Sequence, residues 1–177
     1  MVKLNKAIFL DRDGTLNKAV NINQKKRPPY NFKELKIYKD IKILNQFAKS
    51  YLLIITTNQP DLKSKKQKKS FNNFINKKIK KKILIKKIYT CKCFEYEKNC
   101  KCYKPKNGMI KSATKKFKID LKNSYVIGDS WRDIGAGKRS GCKTIFINRD
   151  KNNIKIKRYK PDFKIKNLST LKKIIEV

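Results

Sequence analysis

Residues 7–16 read Ala7-Ile8-Phe9-Leu10-Asp11-Arg12-Asp13-Gly14-Thr15-Leu16, four apolar residues that stop at two carboxylates and a glycine. So short and unbroken an apolar run is the pattern of a strand buried on both faces, as in a parallel sheet. The pattern recurs. Tyr51-Leu52-Leu53-Ile54-Ile55 runs into Thr56-Thr57-Asn58, and Ser124-Tyr125-Val126-Ile127 runs into Gly128-Asp129. Residues 142–147 read as a fourth strand and 85–89 as a weaker fifth. Between them apolar residues fall at helical spacing: Leu35, Tyr38, Ile41, Leu44 and Phe47-Ala48; Phe71, Phe74-Ile75 and Ile79; Met109-Ile110, Ala113 and Phe117. The Lys-rich run 77–87 reads as a continuation of the second of these helices.

Alternating strands and helices predict an α/β fold, a Rossmann-like three-layer sandwich with a mainly parallel sheet. In such folds ligands bind outside the carboxyl ends of the strands, where three of these strands place their polar residues. Residues 17–31 and 90–107 break the rhythm and read as loops on that rim. The interval from Asp13 to Thr57 and that from Thr57 to Lys104 are each largely taken up by core elements, so no large cap domain is expected. A chain of 177 residues with 39% apolar content suits a single domain over residues 1–177.

The formal net charge is +35, from 48 basic and 13 acidic residues. Six of the basic residues are Arg and the rest Lys, whereas nucleic-acid readers lean on the bidentate fork of Arg. A solvated lysine surface is the favoured reading, and a nucleic-acid partner the alternative. No apolar run reaches the roughly 18 residues of a membrane span, and no signal peptide is apparent, so a cytoplasmic protein is expected; a monomer is the expected state.

Against this background the scarce residues carry the information. Asp11 and Asp13, two positions apart after a buried strand, can share one site, where Asp11 attacks an electrophile and Asp13 moves protons. Carboxylate nucleophilic catalysis calls for phosphorus as the electrophile, a cation to neutralise charge, and donors to the phosphoryl oxygens. Asp129 is a hard oxygen ligand suited to Mg2+, Thr57 offers a hydroxyl, and Lys104 a positive charge. Taken singly, these residues could be an Asx turn, a helix cap and a first-turn acid. Their order along the chain, with Lys104 among them, is what capping alone does not explain.

Asp11-Arg12-Asp13-Gly14-Thr15-Leu16, Thr57-Asn58-Gln59, Lys104-Pro105 and Gly128-Asp129-Ser130-Trp131-Arg132-Asp133 together resemble the four ordered motifs of haloacid dehalogenase superfamily phosphatases. Thr57-Asn58-Gln59-Pro60-Asp61, the cysteine loop and Lys104-Pro105-Lys106-Asn107-Gly108-Met109 resemble the branch of heptose bisphosphate 7-phosphatases and histidinol phosphatases. The resemblance implies Asp11 as nucleophile and Asp13 as general acid and base. It implies Thr57, Asn58 and Lys104 as substrate-binding residues, and Mg2+ on Asp11, the Asp13 carbonyl and Asp129, with Asp133 in support. Tyr103 stands where that branch usually has Arg, and Ser130 where many members have a basic residue; Arg132 is the expected replacement contact. The implied substrate is a small phosphorylated sugar, with histidinol phosphate and nucleic-acid 3'-ends as alternatives. The basic run Lys25-Lys26-Arg27 reads as a solvated loop, with contact to a second phosphate as its alternative.

Cys91, Cys93, Cys100 and Cys102 lie within twelve residues, and the chain has no His. Four soft ligands on one short loop fit tetrahedral structural zinc, and a cytosolic setting argues against disulfides. In the resembling branch the second ligand is usually His, whose place Cys93 takes. Zinc would pin the loop and so place Lys104. Cys142 reads as a buried small hydrophobe.

Overall fold

The computed structural model describes residues 4–23, 25–149 and 158–176, with only the backbone of Lys25 described. Six strands form one sheet: β1 (Lys6–Leu10), β4 (Tyr51–Asn58), β5 (Ile85–Cys91), β6 (Tyr125–Gly128), β7 (Lys143–Ile147) and β8 (Phe163–Ile165). Their order is β5-β4-β1-β6-β7-β8, and every neighbouring pair is parallel. Strands β2 (Val20–Ile22) and β3 (Lys25–Arg27) form a separate antiparallel hairpin. The helices are α1 (Lys69–Lys80), α2 (Gly108–Phe117) and α3 (Trp131–Lys138).

Strand β1 explains the layering. Ile8 and Leu10 face a core shared with Ile41, Leu44 and Phe47 and with Phe71, Ile75 and Ile79 of α1. Ala7 and Phe9 face the opposite core, with Ile110 and Ala113 of α2 and Ala136 of α3. All four strand residues are fully buried, as an unbroken apolar run requires, and each side chain as large as Phe9 contributes about 1.5–3 kcal/mol by leaving water. Three layers result, helix, sheet and helix, in agreement with the expected sandwich.

Three expectations of local structure are corrected, and two further elements were not anticipated. The first helical pattern forms a 3-10 helix over Lys39–Phe47, and Leu35 and Tyr38 precede it. Its buried residues Ile41, Leu44 and Phe47 recur every third position, which matches three residues per turn rather than 3.6. Helix α1 ends at Lys80 instead of continuing to 87. Asn45 terminates it from outside, accepting from the Leu84 amide at 2.9 Å and donating to the Lys82 carbonyl at 3.0 Å. The loop over 17–31 contains the β2–β3 hairpin. Strand β8 and the 3-10 helix Leu168–Lys173 were not anticipated: β8 has three residues, two of them exposed, and presents no apolar run.

Candidate active site

Because β4, β1 and β6 are adjacent, Thr57, Asp11 and Asp129 emerge side by side at the carboxyl edge, where the strand order reverses. The Asp11 amide still donates to Ile127 of β6 at 2.9 Å, which holds the two strand ends together. Gly14 has φ +102°, and a Cβ there would run into the Asp129 carboxylate; only glycine lets the turn after β1 pass so close to it. The loop after β5 delivers Lys104, and the first turn of α3 delivers Asp133. The Ser130 side chain and amide both meet Asp133 Oδ2, at 2.6 and 3.1 Å, in a capping box that leaves Oδ1 facing the site.

Lys104 is buried and sits at the centre of the cluster. Its Nζ donates to Asp11 Oδ1 at 2.7 Å, to Asp133 Oδ1 at 2.6 Å and to the Thr56 carbonyl at 2.8 Å. Burial works against its charge, yet the Asp11 and Asp133 carboxylates outweigh that and hold its pKa above the ordinary lysine value. Oxygens of Asp11, Asp129 and Asp133 all lie within 4.8 Å of one another. Burial pushes the Asp11 carboxyl well above the usual carboxylate range, against the pull of Lys104. Burial likewise pushes Asp129 up to about 6, against the pull of Lys26. One buried lysine does not neutralise three buried carboxylates, so the donor set fits a divalent cation.

A cleft of about 300 Å³ opens over these groups. On its rim Lys26 reaches in from the hairpin to Asp129 Oδ2 at 2.6 Å, so this lysine is a partner of the carboxylate cluster rather than a solvated loop residue. Arg27 makes two bonds of 2.9 Å to Glu34, which anchors the hairpin. Burial and the Asp61 carboxylate, which accepts its hydroxyl at 2.8 Å, push Tyr30 up to about 12. Arg132 lines the cleft while its Nη2 donates to Glu95 at 2.6 Å; its Nε is buried without a hydrogen-bond partner. A second groove, about 700 Å³ between α1 and β5, is lined by lysines and asparagines and has no carboxylate among its lining residues.

Asp13 is held by neighbours that the sequence motifs contain but do not explain. Its Oδ2 accepts from Arg12 Nε at 3.1 Å, Arg12 Nη2 at 2.9 Å and Gln59 Nε2 at 2.5 Å, and its Oδ1 from Asn17 at 2.9 Å. The same Gln59 amide donates to Thr57 Oγ1 at 2.8 Å. Asn58 lines the cleft but spends its amide on the Lys104 main chain, accepting from its N–H at 3.1 Å and donating to its carbonyl at 3.3 Å. Nothing in residue type or spacing marked Arg12, Gln59 or Asn17 as partners of Asp13; Arg12 and Asn17 reach it within the turn after β1, and Gln59 does so only because the ends of β1 and β4 meet.

The four loop cysteines also converge, their sulfurs within 4.8 Å of one another. Three of the separations, 3.5, 3.6 and 3.9 Å, match the roughly 3.8 Å edge of a tetrahedron with metal–sulfur bonds of about 2.3 Å. A fourth pair, Cys91 and Cys102, is joined as a disulfide, which differs from the expected set of four thiolates. The Tyr103 amide donates to Cys100 Sγ at 3.3 Å, and Lys106 ties the loop together through the Cys100 and Lys98 carbonyls. Gln59 N–H donates to the Cys91 carbonyl at 2.7 Å, which joins this loop to the end of β4. Cys142 is buried, and burial pushes its thiol up to about 12.

Comparison with known proteins agrees with this geometry. A HAD-hydrolase-like family model matches residues 101–171. The D-glycero-alpha-D-manno-heptose-1,7-bisphosphate 7-phosphatase of Photorhabdus laumondii is 36% identical over 154 residues, covering 80% of this chain and 81% of its own. The enzyme of the same name from Campylobacter jejuni is also 36% identical, covering 82% and 84%. The beta-anomer phosphatase of Haemophilus ducreyi is 33% identical, covering 78% and 80%. Among solved structures, the D,D-heptose 1,7-bisphosphate phosphatase of B. bronchiseptica, complexed with magnesium and phosphate, shares the fold at a TM-score of 0.68 and 22% identity, covering 80% of each chain. No helix among the described residues is long and apolar enough to cross a membrane. With this degree of identity across four fifths of the chain, and with the carboxylate cluster at the sheet edge, the chain belongs to the haloacid dehalogenase-like hydrolases that act on phosphate monoesters, within the family of the heptose bisphosphate phosphatases.

Proposed function

We propose that this protein is a Mg2+-dependent phosphomonoesterase that removes the 7-phosphate of D-glycero-D-manno-heptose 1,7-bisphosphate through an aspartyl-phosphate. The observation that carries the reading is Lys104 bridging Asp11 and Asp133 beside a third buried carboxylate, Asp129. Asp11 attacks phosphorus, and the bond from phosphorus to the sugar oxygen breaks while Asp13 gives that oxygen a proton. Water then attacks the phosphorus, Asp13 takes its proton, and the bond to Asp11 breaks to release phosphate. Lys104 and Thr57 hold the phosphoryl oxygens, and Asn58 fixes the main chain that carries Lys104. Asp11, Asp129 and the Asp13 carbonyl would hold Mg2+, which, when bound, neutralises the carboxylates and the phosphoryl oxygens. The Lys26 ammonium on Asp129 already occupies one position where a cation is favoured. Arg132, with its unpartnered Nε at the cleft, is the rim contact for the far end of the sugar.

The cysteine loop is read as a structural zinc site of Cys91, Cys93, Cys100 and Cys102, supported by the convergence of its four sulfurs and by three separations close to a tetrahedral edge. Zinc analysis with thiol titration decides it. One zinc per chain, with all five cysteines titrating after chelation and unfolding, is expected; no zinc and three titrating thiols would instead favour the Cys91–Cys102 disulfide. The enzymatic reading is tested by phosphate release, with and without Mg2+, from the heptose bisphosphate, histidinol phosphate and 3'-phosphorylated oligonucleotides. Preference for the heptose ester supports the assignment, and preference for either of the others replaces it.

A further inference from the structure

We infer that Arg12 is a positioning residue for the proton-transfer step, fixing the Asp13 carboxylate against helix α1; this rests on the phosphatase reading above. Along β1 the even-numbered residues Ile8 and Leu10 point into the core shared with α1. Arg12 continues that row one step past the strand and is completely buried. A buried guanidinium is tolerated only when its N–H groups are satisfied. Here Nη1 donates to Asn72 Oδ1 at 2.6 Å and Asn76 Oδ1 at 3.0 Å, both on α1, while Nε and Nη2 donate to Asp13 Oδ2 at 3.1 and 2.9 Å. These bonds occupy four of the five guanidinium N–H groups in a rigid fork that a lysine cannot reproduce.

The consequence for Asp13 is an asymmetry between its two oxygens. Oδ2 accepts three N–H groups, two from Arg12 and one from Gln59. Oδ1 accepts one, from Asn17. A proton on Oδ2 would have to displace a donor, so Oδ1 is the oxygen that passes the proton to the departing sugar alkoxide and later receives one from water. Arg12 sets this orientation without touching substrate, and Asn72, itself buried, holds Arg12.

The test compares two leaving groups in the full-length protein with Mg2+. An alkoxide leaves poorly without a proton, whereas p-nitrophenolate leaves without help, so misplacing the acid penalises the sugar phosphate selectively. Arg12→Lys is expected to lower kcat/KM, which reports departure of the leaving group and not the later water step shared by both esters, by about 10²-fold on the heptose phosphate and by less than about fivefold on p-nitrophenyl phosphate. Asn72→Ala keeps the guanidinium and is expected to show the same selectivity at about tenfold; it carries the test if Arg12→Lys does not fold. Equal losses on both substrates, or no loss on either, would overturn the inference. Wild-type protein inactive on both esters, or active on the aryl ester alone, would overturn the sugar-phosphatase reading instead.

Discussion

Two clusters of residues that could hold a metal ion are built in opposite ways. The carboxylates come from positions 11, 129 and 133 and meet only because β1 and β6 are neighbours in the sheet. The cysteines come from a single stretch of twelve residues. The carboxylates are buried; Asp11 and Asp133 share Lys104 and Asp129 takes Lys26 from the cleft rim, so the protein's own cations offset only part of their charge. The sulfurs are partly exposed at Cys93 and Cys102 and have no buried cation among them. The first cluster therefore depends on the whole fold, whereas the second depends on a loop closed by its own cysteines, and they should fail separately.

The largest effect expected is on chemistry alone. Asp11→Asn should lower turnover at least about 10³-fold by removing the nucleophile, with zinc content and melting temperature kept, because it also removes a carboxylate that burial penalises. Appreciable remaining activity would contradict the covalent route. Lys104→Met attacks the balance of the first cluster and should cost about 3–5 kcal/mol in denaturant unfolding, since it strands two buried carboxylates; a cost under about 1 kcal/mol would mean that water or another cation already satisfies them. Cys100→Ser attacks the second cluster: zinc should fall to zero and activity by about tenfold through the Lys104 loop, two residues beyond Cys102. Full zinc retention in that variant would refute the four-thiolate site.

The smallest expected effect concerns the proton and the cation competing at the first cluster. A buried acid whose pKa is raised stabilises the cation-free fold while protonated and ceases to do so as pH climbs from about 4 through about 6, the window for Asp129. The increment in melting temperature on adding Mg2+ should therefore grow across this window and level off above it. An increment that stays flat from pH 5 to 8 would place Mg2+ elsewhere. The same titration with zinc already bound should leave the cysteine loop unaffected.

Much of this molecule was legible before folding was considered. The central strands announce themselves because a strand buried on both faces must be apolar throughout, as residues 7–10 and 52–55 are, and the polar residues that follow mark the carboxyl edge. Less was legible where a structure's identity depends on its partners. The 3-10 helix from Lys39 shares its apolar residues with an ordinary amphipathic helix and differs only in their three-residue spacing. The end of α1 is set by Asn45, which lies far from it in sequence. Strand β8 earns its place in the sheet by pairing with β7, and its own residues do not alternate.

By itself the order of residues determined the reaction chemistry available: a carboxylate pair after one strand, a hydroxyl after the next, a lysine, and a carboxylate after a third, with four sulfurs close enough along the chain to meet in any compact loop. Tertiary structure alone decided how those groups are held. That Asn72 of α1 holds Arg12, that Lys26 leans on Asp129 and that Asn58 clasps the Lys104 main chain follow from which strand ends and helices pack together, and hydrogen bonds between residues some 46 to 103 positions apart leave no trace in local periodicity.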